Sequence, residues 1–129
     1  MEPINWIAVV LGANLAVALG IVWHGPLFRT GRPLLAGAGK AKSYGVVVIV
    51  LLIGAAMLGH SFARIGAETL AAKPWLYPMQ SGGIAAAFII PSVWLTQARH
   101  GMDQVTRLLD CLYWLVAYLV IGATFWALA

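Results

Sequence analysis

The chain has 129 residues, of which 62 % are hydrophobic and only 9 % charged, with 8 Lys+Arg against 4 Asp+Glu for a net charge of +4. A soluble domain carries about 25 % charged residues, so these charges are too few to cover a soluble globule. The composition argues against a soluble enzyme, a nucleic-acid-binding module and a disordered tail, and it reads as an integral membrane protein.

A spanning helix needs about 20 mainly apolar residues to cross roughly 30 Å of hydrocarbon. Four segments meet that requirement, at about 4–23, 44–63, 82–98 and 108–128. They take up most of the chain, so residues 1–129 are expected to form a single transmembrane domain. The fold class is all-α, with four transmembrane helices in two antiparallel hairpins.

The first span carries no charge, and Met1-Glu2-Pro3 lacks the positive stretch of a signal peptide, so this segment is expected to stay as a helix. Ala8, Gly12, Ala16 and Gly20 recur every four residues and form one stripe of small side chains, with Asn5 on the same stripe. In lipid the hydrophobic effect does not pull helices together, and small residues that let backbones approach mark a packing face. Asn14 lies two residues from Gly12, about 200° round the helix. It therefore points away from the stripe near mid-bilayer, where an amide is costly without a partner. That partner is either another helix of this chain or something outside the protomer.

The first loop is basic, with Arg29, Arg32, Lys40 and Lys42. Its Gly37-Ala38-Gly39-Lys40 segment lacks the upstream strand and the Ser/Thr of a phosphate-binding loop and reads as a plain loop. The second span repeats the small-residue device with Ala55, Gly59 and Ala63. His60 stands four residues after Ala56, which leaves room for a tetrapyrrole ring. A bacteriochlorophyll or haem ligated by His60 is therefore a secondary reading beside an ordinary buried histidine. After this span, Lys73-Pro74-Trp75-Leu76-Tyr77-Pro78 reads as an interfacial segment in which two prolines prevent a continuous helix.

The third span is short and interrupted by Pro91, which frees a backbone carbonyl one turn earlier; Ser92 and Thr96 stand close enough to satisfy it. In the fourth span Asp110 is the only acid inside or bordering an apolar segment. Arg107 precedes it by three residues, the spacing of a same-face pair, so an interfacial ion pair is expected. The functional alternative is a proton- or cation-handling carboxylate.

With four spans the first and third loops share a side. They hold six cations (Arg29, Arg32, Lys40, Lys42, Arg99, Arg107) against two (Arg64, Lys73) in the second loop. The positive-inside rule places them in the cytoplasm and both termini outside. Trp6, Trp23, Trp75, Tyr77, Trp94 and Trp126 fall near span ends, as interfacial aromatic anchors do. This topology separates His60 from His24 and His100, and no Cys, Asp or Glu stands at ligand spacing beside either of the latter, so no metal site is expected. Cys111, the single cysteine, excludes a disulfide within the chain. No catalytic constellation is present.

The text Trp23-His24-Gly25-Pro26-Leu27-Phe28 resembles the signature of the membrane family called domain of unknown function 1761. Asn5-Trp6-Ile7-Ala8-Val9 is similar to that family's opening, and Tyr113-Trp114-Leu115-Val116 followed by Gly122 to its last helix. His24 stands where the family usually has Tyr, and Arg32 where it often has Trp. The resemblance implies four spans and a bacterial cytoplasmic (inner) membrane, and carries no assigned activity.

The expected function is non-enzymatic: association in the membrane, as an accessory subunit or scaffold of a larger inner-membrane complex. The expected partners are lipids and other membrane proteins or the chain itself, with no nucleic acid. A small homo-oligomeric channel or transporter is the alternative, with Asn5, Asn14, Ser92, Thr96 and Asp110 lining a path.

Overall fold

A computed structural model describes residues 3–29 and 40–129, with only the backbone described for 40–44. The described residues are helical, without a strand. The chain runs through α1 (Trp6–Val22), a wider π turn (Trp23–Leu27), α2 (Lys40–Ile65), the short α3 (Ala67–Ala72), α4 (Leu76–Ile84), a second π turn (Ala85–Ile89), α5 (Ile90–Arg99) and α6 (Gln104–Ala127). Four stretches are long and apolar enough to cross a membrane: Trp6–Leu27, Gly45–Ile65, Leu76–Arg99 and Gln104–Ala127. Their lipid-facing character is plain, because Ile53, Met57, Phe88, Leu95 and Val105 are each more than half exposed. Water would penalise that surface and hydrocarbon does not. The protein is a multi-pass integral membrane protein.

Local chemistry explains the helix ends and interruptions. Asn5 caps α1 by accepting the Ala8 N–H at 3.2 Å, and its amide donates to the Leu128 carbonyl at 3.2 Å, fastening the start of α1 to the end of α6. Pro26 has no N–H to donate, and the helix widens there so that the Phe28 N–H reaches back to the Trp23 carbonyl at 3.2 Å. Pro91 produces the same result: the turn before it is π, with the Ile90 N–H on the Ala85 carbonyl. The Ser92 hydroxyl donates to the Phe88 carbonyl at 2.8 Å, one residue beyond the carbonyl that an ideal α-helix would leave free at Ala87.

Two spans are longer than the hydropathy of the sequence indicates. The third begins at Leu76 and includes Pro78, so the expected break in the helix is confined to residues 73–75, where Pro74 stands between α3 and α4. Pro78 is the third residue of α4, where an N–H has no intrahelical partner to lose. The fourth begins at Gln104, a turn before Leu108, because Asp103 caps it: the Asp103 carboxylate accepts the Thr106 N–H at 3.0 Å and the Thr106 hydroxyl at 2.7 Å.

In packing, α1 lies against both α2 and α6, and α6 also carries α4 and α5. Ala8, Gly12, Ala16 and Gly20 are all buried, as are Ala55, Gly59 and Ala63. Gly12 sits so close to α6 that an added Cβ would lie 3.4 Å from the Ile121 Cα. Between the helices the core is small and dry, built of residues such as Ala13, Leu51, Leu58, Ala117 and Ile121. Two of its hydroxyls find backbone partners at once: Tyr113 donates to the Ala16 carbonyl at 2.8 Å, and Thr124 to the Val120 carbonyl at 2.8 Å.

Candidate functional site

At one end of the bundle three spans converge on a polar cluster. The first span supplies Trp23 and His24 from its π turn, the third supplies Trp94 and Gln97 from α5, and the fourth supplies Arg107, Asp110 and Tyr113 from the first turns of α6. Pro26 sets the placement of His24, because it forces the π turn that carries the ring inward. π turns recur at functional sites in proteins.

Trp23 anchors the turn. Its indole N–H donates to the Leu109 carbonyl at 3.1 Å, its ring packs 4.7 Å from Phe28, and its edge meets Tyr113 at 6.3 Å. His24 is 6 % exposed and lies 5.5 Å from the Tyr113 ring, with Nδ1 3.9 Å from Asp110 Oδ1. On the other side of Asp110, Gln97 donates its amide to Oδ2 at 2.5 Å. A carboxylate bordering hydrocarbon requires such partners, and here they come from two other spans.

The expected Arg107–Asp110 ion pair is not formed. Arg107 instead lays its guanidinium over the Trp94 ring, 4.2 Å from the centroid. Spacing along one helix made the pair possible, but α5 offers Arg107 an aromatic face and offers Asp110 an amide, and both are taken. Gln97 Oε1 and Arg107 Nε are buried with no hydrogen-bond partner. His24 and Asp110 thus meet at ion-pair distance and not as a hydrogen bond, and the cluster has further hydrogen-bonding capacity at its edges.

The other predicted positions lie elsewhere. His100 is exposed, with Nδ1 2.8 Å from the Thr96 carbonyl. No group of three His, Cys, Asp or Glu side chains able to hold a metal ion is present among the described residues. His60 and Ala56 are both half-buried in α2. Asn14 is exposed on the far side of α1 from the small stripe, and its amide donates to the Val10 carbonyl of its own helix at 2.7 Å. Its hydrogen bond is therefore to neither of the two expected partners, because a carbonyl one turn back is always within reach of an asparagine on a helix. Two expected interfacial anchors are corrected as well: Trp23 and Tyr77 are buried at 8 % and 5 % exposure and serve packing, whereas Trp6, Trp75 and Trp126 are exposed. The Gly37–Lys40 loop and Arg32 lie outside the residues whose side chains are described.

The family model described as protein of unknown function (DUF1761) matches residues 7–126, nearly the whole chain. The chain belongs to this family. No curated protein and no protein of solved structure matches it. In this family member the Trp23–Phe28 text forms the π turn that shapes the polar cluster, and Gly122 lets α6 meet α4. Gln97 is the site residue that sequence reasoning passed over. The available signal was a glutamine in an apolar segment, a group that needs a partner wherever the span buries it.

Proposed function

We propose that the protein is a non-enzymatic membrane component that acts by association, as an accessory subunit or scaffold of a larger inner-membrane complex, and that its third span is the associating element. One observation carries this reading. Of the four spans the third is the least apolar, yet 17 % of it is buried against 39 %, 39 % and 44 % for the others. A lone bundle in lipid favours the reverse, with the least apolar helix inside. Gly83, Ala86, Ala87, Ser92 and Thr96 are all exposed on this span, and small and hydroxyl side chains are those that let a further helix approach and hydrogen-bond. The cation count supports an orientation with the polar cluster on the cytoplasmic side and both termini outside.

The test is gentle extraction from native membranes, with sizing and mass identification of co-migrating proteins. Wild-type protein is expected to travel in a particle larger than one chain, and Ala87→Leu to reduce that particle without impairing insertion. An unchanged particle for Ala87→Leu, or a wild-type monomer, overturns the reading. A coloured particle brings His60 forward as a pigment ligand. A second reading, a homo-oligomeric channel or transporter, draws on the His24–Asp110–Gln97 cluster; ion and solute flux in vesicles of the wild-type chain is its test.

A further inference from the structure

The end of the bundle opposite the polar cluster holds a cavity of about 560 Å³. Phe62, Leu70, Ala71, Tyr77, Phe125 and Trp126 are among its walls, and it is mainly apolar. The short helix α3 forms one side, held down by its buried Leu70. A second cavity of about 280 Å³ adjoins it, sharing Pro74, Tyr77 and Trp126 and reaching Leu119 and Ala123. Leu119 lies about two turns of α6 from Trp126, or ~10 Å along the axis. The two spaces together therefore extend from the end of the bundle, at the level of the exposed Trp75 and Trp126, down into the depth of the span, on either side of Tyr77 and Trp126. Sites for small organic molecules occupy about 300–1,000 Å³ and combine apolar walls with a few placed polar groups.

Tyr77 is that polar group. It is 5 % exposed, lines both cavities and packs its ring 4.9 Å from Phe62, yet its hydroxyl makes no hydrogen bond among the described residues. The hydroxyl oxygen is not sealed off like the unpartnered Gln97 and Arg107 atoms of the polar cluster, so it keeps access to open space as the one polar handle of an otherwise apolar ring. The neighbouring Ser81 hydroxyl spends its hydrogen within α4, on the Tyr77 carbonyl at 2.9 Å. Asn5 is engaged too, with its amide on Leu128 and its oxygen on Ala8.

We infer that these neighbouring cavities, which share the Tyr77 and Trp126 wall, bind one amphipathic membrane molecule, an apolar tail lying along Leu119 and Ala123 and a carbonyl oxygen accepting the Tyr77 hydroxyl hydrogen. An acyl lipid ester and a quinone with an isoprenoid tail share this chemistry. A tail of either kind fills an elongated apolar space that opens at the interface, and its carbonyl sits near the depth at which Tyr77 waits. This site is independent of the third-span association and is tested separately from it.

The experiment uses the full chain in vesicles of phosphatidylethanolamine and phosphatidylglycerol doped with a phospholipid that carries a photoactivatable group on its acyl chain near the ester. Labelled peptides are mapped by mass spectrometry. Labelling is expected to concentrate on the segments around 62–77 and 119–126, to be lost in Ala71→Trp and Ala123→Trp, which fill the space from opposite sides, and to fall by about fivefold in Tyr77→Phe, the fold-change of one neutral hydrogen bond. Helical content and elution volume report whether each variant is folded. Displacement of the label by a short-chain isoprenoid quinone identifies the quinone as occupant, and concentrated labelling that resists it identifies the acyl lipid. Labelling spread evenly over the lipid-facing positions of all four spans and unaltered by Ala71→Trp and Ala123→Trp overturns the proposal.

Discussion

The helix α6 has two seams, and they are built on different principles. Against the first span it is joined along the middle of α1 by shape, where Gly12 and Ala16 face it and backbones approach closely, with the Tyr113 hydroxyl on the Ala16 carbonyl within the core and Asn5 and Trp23 bonding the Leu128 and Leu109 carbonyls at the two ends. Against the third span it is joined by side-chain polar contacts toward the Asp110 end and by close fit toward the other. Gln97 bonds Asp110, the Cys111 thiol points at the Ile90 carbonyl at 3.8 Å, and an added Cβ at Gly122 would lie 2.9 Å from the Ser81 Cβ. In hydrocarbon both devices hold helices together, dispersion by close fit in one case and hydrogen bonding in the other. The difference teaches that added volume breaks the middle of the first seam, whereas at the Asp110 end of the second the loss of one polar partner is enough.

On the α1 seam the largest effect is expected at Gly12. An added Cβ already touches Ile121 and Thr124 at 3.4–3.5 Å, so the rest of a leucine side chain has no room between α1 and α6. Gly12→Leu should destabilise the bundle by about 1–3 kcal/mol through overpacking, read from reversible unfolding in mixed micelles. If stability is unchanged, the seam is looser than the close fit described and the comparison between the two seams fails.

The polar seam is probed by a double-mutant cycle on Gln97 and Asp110. Gln97→Leu removes the amide that stabilises the Asp110 carboxyl and should cost about 1–3 kcal/mol, the penalty of stranding a polar group. Asp110→Leu strands the amide in turn. The double variant should recover most of either loss, since neither polar group is left behind. Additive losses would show that the two side chains act separately and that another group satisfies Asp110.

Much of this architecture can be read from the residues alone. The four spans follow from apolar runs, the small stripes at Ala8–Gly20 and Ala55–Ala63 from four-residue spacing, and the outward position of Asn14 from helical geometry. These are properties of one helix at a time. What spacing does not reveal is competition between helices. Arg107 and Asp110 are correctly spaced for a pair, but Trp94 and Gln97 reach them from another span, and nothing within α6 records that. Trp23 looks like an interfacial anchor by position, and only the π turn at Pro26, with Leu109 opposite, turns it inward. The same limit hid the early starts of the third and fourth spans, which depend on where Pro78 falls within a first turn and on what the Asp103 side chain caps.

The smallest effect on stability is expected at Asn14, and it separates the outer side of α1 from that of the third span. The Val10 carbonyl that accepts the Asn14 amide also accepts the helix's own N–H, so removing the side chain strands nothing. Asn14→Leu takes an exposed amide out of lipid and installs a better helix former, a change of about 0.5 kcal/mol at most and in the stabilising direction. Unfolding of the extracted single chain should therefore be unchanged or slightly later. The native particle gives the second half of the comparison. If Ala87→Leu reduces it while Asn14→Leu does not, association runs through the third span alone. If Asn14→Leu reduces it as well, the amide reaches a partner across the first span, and the protein is held from two sides.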